Sequence, residues 1–115
     1  MDVFIKKILQ TIIKHCIVIE ETKTHFGFNF SDFENNVIYQ NALLTPIAQI
    51  GELVKRFPNI FTEKYNEIPW RNIAGMRDIL IHKYETIDKV ILWNVADKEI
   101  PKIKNFCIKI LNGAG

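Results

Sequence analysis

Apolar residues recur along most of the chain at the spacing of a buried helix face. Phe4/Ile5, Ile8/Leu9, Ile12/Ile13 and Cys16/Ile17 return every four residues, which predicts a first helix from about Asp2 to Glu21. A connection follows in "THFGFNF", which contains Gly27. Ser31 and Glu34 stand at capping-box spacing, so a second helix is expected to start at Ser31. Its stripe comprises Val37, Ile38, Leu43, Leu44, Ile47, Ile50, Val54 and Phe57, with Pro46 inside it as an expected kink. Pro58 and Pro69 bound a loop with at most one short helical turn. Pro69 suits the first position of a third helix carrying Ile73, Met76, Ile79, Leu80 and His82. Asp88 can cap a fourth, with Ile87 and Leu92 placed as a hydrophobic staple, and Pro101 kinks or breaks the pattern before a last stretch, Ile103 to Leu111. The tail "NGAG" is expected to fray. No strand signal or internal repeat stands out, so the reading is an all-α, four- to five-helix bundle forming a single domain over residues 1–115.

Composition narrows the function classes. The 115 residues can bury a core of their own, and 48% hydrophobic with 24% charged residues is ordinary for a globular chain. With 15 Lys+Arg against 13 Asp+Glu, any nucleic-acid contact must be local. Lys6, Lys7 and Lys14 break the apolar start, so no secretory signal is read, and no run approaches the ~20 apolar residues of a membrane span. Cys16 and Cys107 sit in amphipathic patterns and read as reduced, buried thiols of a cytoplasmic protein. The scattered glycines build no phosphate-cradling loop, and there is no CxxC, HExxH or Asp-x-Asp. His15 and His25 lack partners at ligand spacing, so neither a metal nor a cofactor is expected.

Chemistry concentrates in "GMRDILIHKYETID", residues 75 to 88. Arg77 can hold a phosphate, His82 can move protons near neutral pH, and Tyr84 offers a modifiable hydroxyl. On a continuous helix Asp78 and His82 share a face, whereas Arg77 and His82 point about 140° apart. They could converge through side-chain reach, through a helix ending near His82, or across a pair of copies. Gly75 is expected to admit a close helix–helix contact. Spacing alone leaves the bland alternatives open: His82 as a boundary histidine, Arg77 as a solvated charge, Tyr84 as a half-buried aromatic.

A longer pattern goes further. Pro69-Trp70, "IAGMR" from Ile73 to Arg77, His82, Tyr84, Asp88, Trp93 and Ile100-Pro101 together resemble the HepT-like family of the HEPN superfamily, as does Ile50-Gly51-Glu52 upstream. Asp78 stands where Asn is commoner in that family, and Lys83-Tyr84-Glu85 replaces Gly-Tyr-Phe. The resemblance implies a two-fold homodimer and a toxin-type, metal-independent endoribonuclease with RNA as substrate. Within it Arg77 and His82 would be catalytic, Asp78 supporting, and Tyr84 the acceptor of AMP from a minimal nucleotidyltransferase antitoxin. The rival is a non-catalytic helical subunit that binds, or presents substrate to, such a transferase. A homodimer that has lost its activity is a third possibility.

Overall fold

A computed structural model describes residues 1–81 and 86–113. Helix α1, Val3–Phe26, starts where the Asp2 carboxylate accepts from the Phe4 and Ile5 amides at 2.7 and 3.3 Å. It runs five residues past the expected end, because the chain keeps helical geometry until Gly27, whose φ of 123° favours glycine. The buried face is Ile8, Leu9, Ile12, Cys16 and Ile19; Phe4 and Ile17, although on the predicted stripe, are exposed.

Where a second helix was expected from Ser31, the chain makes one short turn, α2 (Phe30–Phe33), then the long α3 (Val37–Val54). The Asp32 carboxylate, not Glu34, reaches back, accepting from the Asn29 amide at 3.2 Å. The Asn36 side chain caps α3 by accepting from the Tyr39 amide at 3.0 Å. Gln40 is buried and donates to the Phe33 and Glu34 carbonyls at 3.1 and 3.0 Å, closing the orphan end of α2. α3 stays helical through Pro46, which is buried. Val37 and Ile38 depart from the predicted stripe: at the first turn of α3 they are 65% and 72% exposed.

Two short helices, α4 (Asn59–Lys64) and α5 (Trp70–Ala74), lead to α6 (Met76–Leu80). After an interval come α7 (Lys89–Asn94), a π-helical turn (Val95–Glu99) and α8 (Ile100–Gly113) as one uninterrupted rod. Pro101 therefore neither breaks the helix nor begins it. Proline offers no N–H to the carbonyl of residue 97, and the Ile100 amide already bonds the Val95 carbonyl, five residues back. α1, α3, the α5–α6 pair and the α7–α8 rod are the four staves of the bundle, in agreement with the all-α reading.

α3 is central, packing on α1, α5, α6 and α7, while α1 also packs on α8. An aromatic knot closes one end: Trp93 lies 5.2 Å from Phe33 and 6.0 Å from Tyr39 between ring centroids. Lys23 extends over the Trp93 ring and ends 2.7 Å from Asp97, and Lys104 reaches Glu20 at 2.8 Å, so α1 is strapped to the rod twice. No helix among the described residues is long and apolar enough to cross a membrane.

Candidate active site

The platform for the site is the α5–α6 pair. Trp70 anchors its start, donating from Nε1 to the Tyr65 carbonyl at 3.0 Å and standing edge-on to Phe57 at 5.2 Å. Ile73, Met76 and Leu80 are buried and hold the inner face. Gly51 of α3 sets the distance, since a Cβ there would lie 3.1 and 3.2 Å from the Ile73 and Ala74 carbonyl oxygens. Within the chain the close helix–helix approach is made at Gly51. A Cβ at Gly75 would meet only the carbonyls of its own preceding turn, the nearer at 3.5 Å. Composition gave no hint of this; the one sequence signal was Gly51 within Ile50-Gly51-Glu52.

Gly75 instead divides the expected single helix in two, its amide bonding the Arg71 carbonyl at 3.1 Å while its own carbonyl accepts from the Asp78 and Ile79 amides. Arg77 and Asp78 stand exposed on the first turn of α6, between buried Met76 and Leu80. The helix stops at Leu80: Ile81 is extended, with φ −111° and ψ 118°. Ile81 forms an antiparallel bridge with Ile87, and the Asp88 amide donates to the Leu80 carbonyl at 2.8 Å. Asp88 then caps α7 as expected, its carboxylate accepting from the Ile91 amide at 3.0 Å.

Three of the expected relations presuppose a helix that runs on past Leu80. The i,i+4 relation of Asp78 to His82 and the in-line relation of Arg77 to Tyr84 both require a helix that continues, and it ends at Leu80. The 140° separation of Arg77 from His82 is drawn on the same continuous helix. His82 and Tyr84 lie outside the described residues. The chain on either side of them is pinned together by buried Leu80, the Ile81–Ile87 bridge and the Asp88 cap.

Burial pushes the Cys16 and Cys107 thiols up to about 12, so both stay protonated and neither offers a thiolate ligand. His15 is lowered by burial, and His25 stands edge-on to Phe26 at 4.7 Å. Among the described residues no group of His, Cys, Asp and Glu side chains could hold a metal ion. An apolar groove of about 490 Å³ runs beside α6, lined by Pro69, Ile73, Met76, Ile79, Val95 and Phe106, with Ile79 49% exposed.

Comparison with known proteins converges on one family. The HepT-like family, described as ribonuclease HepT-like, matches residues 5–110. A Caldanaerobacter subterraneus subsp. tengcongensis protein named "Putative RNase" is 38% identical over 104 residues, 90% of each chain. "Probable ribonuclease HepT" of Thermococcus cleftensis is 37% identical over 99 residues, 86% of this chain and 88% of that one. A Methanocaldococcus jannaschii protein named "Gamma-glutamylcyclotransferase and putative RNase" is 46% identical over 80 residues, and there the match spans only 36% of the relative's length. No solved structure matches the chain significantly. With nearly its whole length matched, from the α1 stripe through Arg77 to the α8 core, the chain belongs to the HepT-like ribonuclease family.

Proposed function

We propose that the protein is the toxin component of a HEPN/nucleotidyltransferase pair, a metal-independent endoribonuclease that works as a two-fold homodimer in the cytoplasm. The observation that carries this reading is the arrest of α6 at Leu80, three residues after an exposed Arg77 and two before His82, in a chain of this family. An exposed guanidinium on a packed helix, with a proton mover five residues further along the chain, suits phosphodiester chemistry. In the proposed reaction the 2′-hydroxyl of the RNA attacks the adjacent phosphorus and loses its proton to a general base. The bond from phosphorus to the 5′-oxygen breaks, and that oxygen takes up a proton. A cyclic phosphate end and a free 5′-hydroxyl result. His82 moves the proton, Arg77 neutralises charge on the non-bridging oxygens as it builds, and Asp78 supports the histidine.

The dimer follows from the same reading: two Arg77–His82 pairs face one cleft, and the apolar groove beside Ile79 is the surface that a second copy would cover. Regulation belongs to it too. The Tyr84 hydroxyl attacks the α-phosphate of ATP on the partner transferase, pyrophosphate leaves, and the added phosphodiester competes for Arg77.

The test is an RNase assay of the purified chain, without partner, in EDTA. Wild type cleaves, and Arg77→Ala and His82→Ala each lose about 100-fold or more while retaining the helical circular-dichroism spectrum. Cleavage surviving in both folded variants sinks the assignment. A folded wild-type chain that docks to the transferase without cleaving RNA marks the non-catalytic subunit instead.

A further inference from the structure

The end of the bundle where α1 begins carries a surface that the site above does not use. Phe4, Lys7, Ile8 and Thr11 of α1 line a shallow cleft of about 200 Å³ together with Leu53 of α3 and Arg56 just beyond its end. The four α1 positions fall on one face. Ile8 is buried, whereas Phe4 is 55% exposed, and the cations Lys7 and Arg56 line the same cleft. An exposed phenyl ring at a helix start contributes nothing to the core.

The charge around this cleft is one-sided. Lys6, Lys7, Lys14 and Arg56 have no carboxylate at ion-pair distance among the described residues. The Asp2 carboxylate is committed to the first amides of α1, and Glu52 holds Lys55 at 3.0 Å. Lys7 and Lys14 are seven apart, which places them in one row about 10 Å long on the surface of α1. A planar apolar face flanked by unpaired cations, with a row of positive charge leading away, fits a base stacked on the ring while the backbone follows the lysines.

We infer that this cleft is an accessory subsite for single-stranded RNA, with Phe4 as its stacking platform and Lys7 and Arg56 as its phosphate contacts. The inference rests on the reading of the protein as a ribonuclease and adds where the strand runs beyond the cleaved bond. The alternative occupants, a second copy of the chain or an acidic protein, are decided by the experiment.

Binding of a fluorescein-labelled, 2′-O-methylated oligonucleotide to the full-length chain is measured by anisotropy across a salt series. This probe lacks the attacking hydroxyl, so binding is read without cleavage. Phe4→Ala weakens binding about tenfold, and Phe4→Trp retains it. Lys7→Glu with Arg56→Glu weakens it at least as much and lowers the slope of log K against log salt by about 1.4, or about 0.7 per lost phosphate contact. Lys109→Glu, the same charge change on α8, binds as wild type. Wild-type affinity and slope in the Phe4 and Lys7/Arg56 variants overturn the proposal, as does a wild type that fails to bind the probe. Sedimentation of those variants at half the wild-type mass also overturns it and assigns the surface to contact between copies. A wild type that binds through these residues yet leaves unmodified RNA intact supports the subsite and refutes the nuclease reading.

Discussion

Gly51 within α3 and Gly75 at the junction of α5 and α6 should respond to alanine with opposite sign. Gly51→Ala gains about 1 kcal/mol of helical propensity. Against this, its Cβ must fit 3.1 and 3.2 Å from two carbonyl oxygens of α5, inside the 3.4 Å of ordinary van der Waals contact. Those oxygens are backbone, so relief requires α5 to retreat as a unit, and overpacking of this kind costs about 1–3 kcal/mol. The balance is a loss of about 1 kcal/mol, and Gly51→Val deepens it by adding volume while giving back part of the propensity gain. Gly75→Ala meets nothing nearer than 3.5 Å, at a φ of −92° that any residue adopts, so it gains about 0.4–1 kcal/mol through the unfolded chain. Urea unfolding followed by circular dichroism, at one fixed protein concentration, reads both. At about 1–3 kcal/mol per molar urea, the Gly51→Ala midpoint falls by about 0.3–1 M and the Gly75→Ala midpoint rises. A Gly51→Ala midpoint that rises as far as that of Gly75→Ala would refute the idea that Gly51 sets the α3–α5 spacing.

Four further outcomes are expected. Asp88→Ala removes the α7 cap and lowers stability by about 1 kcal/mol, which Asp88→Asn largely restores; equal losses in both would point away from capping. Stability falls as pH rises from about 9, because the unfolded chain releases protons that native Cys16, Cys107 and Tyr39, all raised to about 12, still hold; Cys107→Ala flattens that limb in pH-dependent denaturation. Ile79→Asp, in the groove beside α6, converts a dimer to a monomer in sedimentation and abolishes RNA cleavage, whereas a wild type that is monomeric at micromolar concentration and fully active contradicts the shared cleft. Incubation with the partner transferase, ATP and magnesium adds AMP to Tyr84 and silences cleavage, by mass spectrometry and RNase assay; efficient silencing of Tyr84→Phe would place regulation in docking alone.

The legible parts of the chain were those governed by long periodic patterns. The α1 stripe, the Asp88 cap and the amphipathic α8 follow from side-chain spacing, because nothing local competes with it. Errors arose where two local solutions lie close together. Asn29/Asp32 and Ser31/Glu34 both have capping-box spacing, and the chain uses the first. Val37 and Ile38 fit the period but fall on the first turn of α3, where both stay mostly exposed. In the site, Arg77 and Asp78 were placed correctly on a helix, yet the break at Gly75 was missed and a helix ending near His82 was only one of three arrangements left open. No proline or helix-breaking run marks the arrest at Leu80. It is made by pairing between Ile81 and Ile87, a contact across six positions that periodicity does not register.

The π turn in the last rod acts as a phase corrector. Leu92, Ala96, Ile100, Ile103, Cys107 and Ile110 stay buried on one side across it. In a uniform α-helix each residue advances the azimuth by about 100°, so one residue gained or lost would turn everything downstream by that amount. The wide turn at Val95–Glu99 takes up a surplus residue without rotating α8. Deleting one residue there and replacing Pro101 would let the rod close as continuous α-helix with its core face still aligned. The same deletion two turns further on would swing Cys107 and Ile110 toward water. The rod thus has one place where its length can change by a single residue while the rest of the bundle keeps its partners.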